Sequence, residues 1–326
     1  MMAPRYLVSI MSRTYPDLAR RNVLRGVAVA AVGTVLLKEA SAARALPFPA
    51  TGQRRGVRVG VSLDMAAFPR GVSAVQAFGQ WRQVTGCAPL ATKIYFNRRQ
   101  FPTHPPHKLA AAITLGMTAV LCYQPAFGPP SRADARAITA SLTALRRAGL
   151  QDACVVLWTE PQDHNKLHVP QQAFLDGFRF YAPVVRASGW PLFYNANSNS
   201  KTWAAYYPGD AHCDGVAVDD YAAHQNWREI WGPGGIAKIA DAGRKQFGWF
   251  EMGRCARKNP PPLSVVTAYL RDATAYLSGR VKAGRPTGPV MWWNGDGPNS
   301  LIPLTRYRSN NPIARQHYPA LYHALT

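Results

Sequence analysis

The sequence predicts an α/β protein, a single (β/α)8 TIM barrel, and three observations lead to this prediction. Eight short apolar runs, rich in β-branched and aromatic residues, recur between residues 57 and 293. Helical patterns lie between them, and such alternation is typical of right-handed crossovers in a parallel sheet. Eight units in the remaining chain of about 280 residues, once a predicted signal segment is set aside, also match the size of a closed barrel, about 250 residues in typical cases.

Each predicted strand is an apolar stretch that ends at glycine, proline or polar residues. In chain order the strands are Val57–Leu63, Ala91–Phe96, Thr118–Tyr123, Ala153–Trp158, Pro191–Tyr194, Gly215–Val218, Phe247–Phe250 and Pro289–Trp293. In a barrel their carboxyl ends meet on one face, and enzymes with this fold carry their active sites there.

Helix signals separate these strands. A capping pattern at Ser131 predicts a helix that runs to Arg147, Pro170 marks the start of another, and a third is predicted over Ser264–Leu277. A doubly wound sheet, the alternative, requires a glycine-rich phosphate-binding turn after the first strand. The sequence Ser-Leu-Asp-Met at 62–65 stands there instead, which favours the barrel.

Residues 1–45 have the pattern of a signal peptide, which leaves 46–326 as one barrel domain. Arg20 and Arg21 precede the apolar stretch Val27–Leu37, and small residues follow up to Ala45. Paired arginines before a mildly apolar core are typical of the twin-arginine route, and an ordinary secretory signal is the alternative. We expect a secreted, extracellular protein without a transmembrane segment in the mature chain.

The chain is strongly basic, with 38 Lys and Arg against 17 Asp and Glu and a net charge of +21. Removal of residues 1–45 leaves 31 basic and 15 acidic residues, a net charge of +16. Such a surface favours anionic partners, and an anionic cell-wall polymer is one candidate. The basic residues are spread along the chain and no nucleic-acid-binding motif is present, so we expect no specific nucleic acid partner.

The cysteines and histidines predict neither a metal site nor a cofactor. Five cysteines occur at irregular spacing without a C-x-x-C pair, and no H-E-x-x-H motif is present. Cys213 and Cys255 are predicted near neighbouring strand ends, where a disulfide is one alternative and two free thiols the other. A serine hydrolase is also disfavoured because no G-x-S-x-G motif exists.

The glutamates give the sharpest functional signal. After residue 45 the chain contains only Glu160, Glu229 and Glu251, and the first and last of these fall at the ends of predicted strands four and seven. An aromatic residue, Trp158 or Trp249, stands two positions before each. Alternation along a strand predicts that each tryptophan and its glutamate point inward together, and indole rings around a carboxyl group would raise its pKa. Two such carboxyl groups suit glycoside hydrolysis.

The other strand ends supply aromatic rings and amide or carboxylate groups, the side chains that bind sugars. The predicted substrate-binding residues are Tyr95, Asn97, Tyr123, Trp158, Asn195, Asn197, Asp219, Trp292, Trp293 and Asn294.

Three stretches resemble glycoside hydrolase family 26, within the large clan of retaining barrel glycosidases that carry catalytic glutamates on strands four and seven. They are Trp158-Thr159-Glu160-Pro161, the passage from Tyr206 through Asp219-Asp220-Tyr221, and Phe247-Gly248-Trp249-Phe250-Glu251-Met252-Gly253. The family includes β-mannanases and related endo-β-glycanases. The resemblance implies that Glu160 is the acid/base, Glu251 the nucleophile, and Tyr221 a hydroxyl that orients the nucleophile.

One position departs from the pattern. Clan members place asparagine, and this family often histidine, directly before the acid/base, whereas this chain has Thr159. Two hypotheses follow: a secreted retaining glycosidase that acts on β-linked polysaccharides or oligosaccharides, or a non-catalytic barrel that binds carbohydrate or the cell wall.

Overall fold

The structure is a computed structural model, and it describes residues 57–63, 71–96, 100–126, 128–162, 169–198, 202–221, 230, 235–253, 262–294 and 312–326. The predicted signal segment 1–45, Asn97 and Cys255 lie outside the described residues.

In the described part of the chain, eight parallel strands form the barrel that the sequence predicts. They are β1 (Val59–Leu63), β2 (Ala91–Tyr95), β3 (Thr118–Tyr123), β4 (Ala153–Leu157), β5 (Leu192–Asn197), β6 (Gly215–Asp219), β7 (Gln246–Met252) and β8 (Thr287–Asn294). Each strand pairs with the next from β2 to β8, and β8 pairs with β1. The carboxyl ends of all eight strands therefore lie at one mouth.

Helices surround this barrel. They are α1 (Ala74–Thr85), α2 (His107–Thr114), α3 (Arg132–Arg147), α4 (Gln171–Ala187), α5 (Ile236–Ala242), α6 (Leu263–Lys282) and α7 (Pro312–Leu325), with a 3-10 turn at Trp203–Tyr206. Ser131 caps α3 as predicted, because its hydroxyl accepts the backbone N–H groups of Ala133 and Asp134. No described helix is long and apolar enough to cross a membrane.

The barrel closes between β1 and β2, where the backbones approach too closely for a side chain. A Cβ atom on Gly60 would lie 2.0 Å from the carbonyl oxygen of Ala91, so only glycine fits. The Leu90 amide donates to the Val59 carbonyl at 2.8 Å across the same junction. On the amino-terminal side, the Val57 amide donates to Leu325 and ties α7 to the barrel.

Two separate apolar layers result from the alternation of side chains along the strands. The larger layer fills the space between barrel and helices. The smaller one fills the barrel interior and consists of Ala91, Val120, Cys122, Cys154, Val156, Phe193, Ala217, Phe250 and Met291. The interior is therefore a packed core in its lower part, and polar side chains occupy only its upper end.

Candidate active site

Glu251 is a buried carboxylate near the end of β7, and two donors hold it. The Lys93 ammonium donates to Oε1 at 2.8 Å. The Tyr221 hydroxyl, which follows β6, donates to Oε2. Both carboxyl oxygens are thus engaged, and the orientation of the carboxylate plane is fixed.

Lys93 is the functional residue that sequence reasoning missed. Its side chain is completely buried and donates to Asn195 at 3.3 Å, to Asp219 at 3.0 Å and to Glu251 at 2.8 Å. One signal was available in the sequence. Lys93 lies two positions after Ala91, on the same face of a predicted strand, and lysine is almost never fully buried unless it is paired. Its partners lie more than 100 residues away in sequence.

The charges in this network act on one another. Burial lowers the pKa of Lys93, but the Asp219 and Glu251 carboxylates outweigh that effect and raise it well above its ordinary value. Burial raises the pKa of Glu251, while the charge and hydrogen bond of Lys93 oppose the rise. An ammonium ion in the barrel interior therefore favours the ionised form of Glu251.

Glu160 follows β4 in an unusual backbone conformation. Both Trp158 and Glu160 have left-handed φ angles, 52° and 51°, which cost about 1–2 kcal/mol each in a residue that is not glycine. The Asn197 amide Nδ2 donates to Glu160 Oε1 at 2.9 Å. Glu160 is almost completely buried, so this contact lies inside the molecule.

The prediction that Trp158 points inward with Glu160 is wrong. The indole of Trp158 packs between barrel and helices, against Phe174 and Tyr181 of α4, and its Nε1 donates to the Pro125 carbonyl. Left-handed residues turn the backbone out of the strand geometry, so the alternation of sides does not continue past Leu157. Trp158 therefore does not line the mouth.

The same prediction is wrong for Trp249, and a different irregularity explains it. Trp249 packs edge-on against Tyr269 of α6, outside the barrel. The register of β6 and β7 shifts here, since Val218 pairs with Trp249 and Asp219 with Glu251. A bulge of this kind reverses the side of the following residue, and it directs Glu251 inward.

Two more predicted substrate-binding aromatics lie away from the mouth. Tyr123 is completely buried in the outer layer, where its hydroxyl contacts Ser141 of α3 at 2.9 Å. Trp292 is buried in the same layer. Both residues pack the barrel against its helices and are not available to a ligand.

Tyr95 and Trp293 remain at the mouth. Tyr95 is 38% exposed, and its ring meets that of Trp293 edge-on at 6.1 Å. The Lys93 ammonium lies 5.0 Å from the centre of the Tyr95 ring. This pair is an aromatic surface directly beside the charged network.

The predicted polar residues divide into three groups. Asn195 and Asp219 are buried contacts of Lys93 and lie beneath the mouth. Asn197 contacts Glu160. The side chain of Asn294 and the whole of Asn97 lie outside the described residues.

The strand register brings the two glutamates to one end of the barrel. Asn197, the partner of Glu160, pairs with Asp219, and Asp219 pairs with Glu251. Strands β4 to β7 thus present one carboxyl group held by a neutral amide and another held by an ammonium and a phenol. Such a pair is suited to general acid catalysis by one group and nucleophilic attack by the other.

Among the described residues, no cluster of three His, Cys, Asp or Glu side chains has the arrangement of a metal site. The described cysteines Cys87, Cys122, Cys154 and Cys213 are free thiols.

Solved structures of several glycoside hydrolases are similar to this chain. An endo-β-1,3-glucanase of glycoside hydrolase family 128 from Amycolatopsis mediterranei, in complex with laminaripentaose, is 14% identical with a TM-score of 0.50, over 80% of this chain and 100% of that chain. A Bacillus subtilis mannanase is 13% identical with a TM-score of 0.48, over 82% and 85% of the two chains. A family 26 β-mannanase from Bacteroides ovatus is 13% identical with a TM-score of 0.47, over 82% and 88%.

At these identities the likeness concerns the (β/α)8 fold. No protein-family model matches the chain, and no curated protein matches its sequence.

Proposed function

We propose that the protein is a retaining glycoside hydrolase that acts on a β-linked polysaccharide or oligosaccharide, in the manner of endo-β-glycanases and β-mannanases. One observation carries this proposal. Two buried glutamates, Glu160 and Glu251, follow β4 and lie on β7 at the same mouth, and their surroundings differ in the way that the two roles require.

Glu251 is the nucleophile in this proposal. Its carboxylate attacks the anomeric carbon while the glycosidic C–O bond breaks, and the electron pair of that bond goes to the departing oxygen. Glu160 gives its proton to that oxygen. Lys93 keeps Glu251 ionised before the attack, and the Tyr221 hydroxyl holds the second oxygen of its carboxyl group.

The second step reverses the roles. Glu160, now ionised, removes a proton from water, the water oxygen attacks the anomeric carbon, and the bond to Glu251 breaks. Two inversions give net retention. The mechanism requires the carboxyl groups to lie about 5–5.5 Å apart, whereas an inverting pair is about 6.5–9.5 Å apart.

Tyr95 and Trp293 are the proposed sugar platform. Sugar rings have flat apolar faces that stack on aromatic side chains, and the half-exposed pair stands beside Lys93 at the mouth. This surface supports a carbohydrate ligand independently of the two glutamates.

Hydrolysis of defined glycans tests the proposal. The purified protein is incubated with laminarin, β-mannan, xylan, mixed-linkage β-glucan and an anionic polysaccharide, and released reducing ends are measured. We expect release from at least one neutral β-glycan, and loss of that activity in Glu251→Gln. Thr143→Asp, an exposed substitution on α3, is the matched control. Equal release by Glu251→Gln and the unaltered protein would contradict the proposal.

A carbohydrate-binding barrel without catalysis is the second candidate, and Thr159 favours it. The Thr159 hydroxyl is buried beside the Cys122 thiol, so the position before the proposed acid/base offers no polar group to a sugar. Binding of a glycan without release of reducing ends would select this candidate.

We also propose export through the predicted twin-arginine signal and attraction to an anionic cell-wall polymer through the basic surface. The net charge of +16 that remains after residue 45 and the Arg20-Arg21 pair support these proposals. Normal export of the Arg20→Lys, Arg21→Lys double variant would contradict the twin-arginine route.

A further inference from the structure

We infer that Asn197 is a positioning residue for Glu160: its side-chain amide holds one carboxyl oxygen and thereby determines which oxygen carries the transferable proton. This inference rests on the proposed function, since it concerns the proton that Glu160 transfers.

Three hydrogen bonds join the segment after β4 to the end of β5. Asn197 Nδ2 donates to Glu160 Oε1 at 2.9 Å. The Gln162 side chain donates to the Asn197 carbonyl at 3.0 Å, and the Glu160 amide donates to the Asn195 carbonyl at 3.1 Å. One residue therefore holds the Glu160 carboxyl group through its side chain and the following residues through its backbone.

These contacts offset the backbone strain at the same place. Two left-handed residues, Trp158 and Glu160, persist only where the surrounding structure fixes them. Asn197 is 8% exposed, so its amide stands at the border between the packed interior and the mouth.

The chemistry of the amide then selects the proton position. An NH2 group donates hydrogen bonds and accepts none, so it contacts the carboxyl oxygen that bears no proton. Oε1 therefore stays unprotonated, and the proton resides on Oε2. The same contact serves both steps, because Asn197 donates to Oε1 whether Oε2 has given its proton to the departing oxygen or has taken one from water.

The contact also has an electrostatic consequence. A donor to a carboxylate stabilises its ionised form, so loss of the Asn197 amide should favour the protonated form of Glu160. The other described charged or titratable groups at this end include Lys93 and Tyr95 on β2, Cys122 on β3, Lys108 on α2, Asp134 on α3, Asp219 and Asp220 with Tyr221 at β6, and Glu251 on β7. Substitution of Asn197 leaves all of these in place.

The composition of the chain makes a direct test possible, because the full sequence contains only four glutamates: Glu39, Glu160, Glu229 and Glu251. Protein labelled with 13C at the glutamate carboxyl carbon gives a resolvable NMR titration for each, assigned by single Glu→Gln variants. The pKa of Glu160 is then read without any need for activity.

We expect Asn197→Asp to raise the midpoint of the Glu160 titration by about one pH unit or more, since a carboxylate replaces a donor. Asn197→Ala should raise it less. The basic limb of the pH profile of kcat/KM should move to higher pH, more in Asn197→Asp than in Asn197→Ala. A purely structural role would lower the rate without moving this limb. Thr143→Asp adds the same charge on the outer face of α3 and should move neither.

An unchanged Glu160 midpoint in both Asn197 variants, or a lower one in Asn197→Asp, would overturn the inference. Hydrolysis in the glycan assay together with unchanged midpoints would reject the role of Asn197 and leave the proposed function standing. A raised midpoint in a protein that hydrolyses no glycan would overturn the proposed function and the proton-transfer role, whereas the contact between Asn197 and Glu160 would stand.

Discussion

The ends of β4 and β7 reach the same mouth by different means. Glu160 is directed inward by two left-handed residues and meets a neutral amide. Glu251 is directed inward by a bulge and meets an ammonium ion and a phenol. The difference fits the two roles that we propose, because a positive charge would keep a nucleophile ionised, whereas a neutral donor would permit a carboxyl group to gain and lose a proton.

The largest effect that separates the two ends concerns the leaving group. Glu160→Ala should lower hydrolysis of a natural glycan about 10²–10⁴-fold, the usual contribution of a general acid. The first step with an activated aryl glycoside should be nearly unaffected, since such a leaving group needs little protonation, and azide should restore turnover. Kinetics on both substrates measure this.

Glu251→Ala is the comparison for that experiment. It should abolish hydrolysis of both substrates, because the nucleophile is needed whatever the leaving group. Equal losses on the two substrates in Glu160→Ala would remove the distinction between the two ends.

The next largest effect concerns Lys93, the buried cation beside Asp219 and Glu251. Lys93→Met leaves Asp219 and Glu251 buried without their cation, which should lower the free energy of unfolding by about 3–5 kcal/mol at pH 7. The pKa of Glu251 in the folded variant should rise, because the charge that opposes the rise is gone. When the pKa of a carboxyl group is higher in the folded state than in the unfolded state, the protein becomes less stable as the pH rises. The loss of unfolding free energy in Lys93→Met should therefore become smaller as the pH falls toward about 5.

Lys93→Met should also change the pH dependence of activity. Lys93 lowers the pKa of Glu251, so its loss should move the acidic limb of the kcat/KM profile to higher pH. Lys93→Arg keeps the charge and is the control. Urea denaturation and pH profiles check both statements, and an unaltered acidic limb in Lys93→Met would mean that the ammonium does not govern Glu251.

The sequence predicted the parts of the site that depend on strand order and strand ends. The eight strands, the carboxyl-end positions of Glu160 and Glu251, and the barrel all follow from periodicity, which is a property of neighbouring residues. It did not predict the side on which Trp158 and Trp249 lie. Left-handed residues after β4 and a bulge in β7 each break the period of two. The affected tryptophan and glutamate positions are neither glycine nor proline, the residue types that usually mark irregular backbone in a sequence.

The role of Lys93 was not predicted from the sequence, for another reason. A single lysine in a short strand resembles a surface position, and its function depends on contacts with Asn195, Asp219 and Glu251 that only the closed barrel creates.

The smallest effect tests the packing that turns Trp158 outward. A Cβ atom on Gly177 of α4 would lie 2.7 Å from the Trp158 ring, which Pro125 holds by a hydrogen bond. Overpacking should cost about 1–3 kcal/mol, against a gain in helix propensity of about 1 kcal/mol, so Gly177→Ala should be neutral to mildly destabilising. Gly279→Ala on α6, where nothing lies within 4 Å, should stabilise by up to about 1 kcal/mol.

Thermal or urea unfolding of both variants decides the matter. A similar gain in stability for the two would show that the Trp158 ring does not press on α4.

Covalent trapping tests the assignment of the two ends most directly. The protein is incubated with an activated 2-deoxy-2-fluoro-β-glycoside of the sugar that the glycan assay identifies, and proteolytic peptides are analysed by mass spectrometry. We expect one fluoroglycosyl group, attached to Glu251 and absent from the Glu251→Gln variant. Attachment to Glu160, or an active enzyme that forms no adduct and releases the product with inverted configuration, would contradict it.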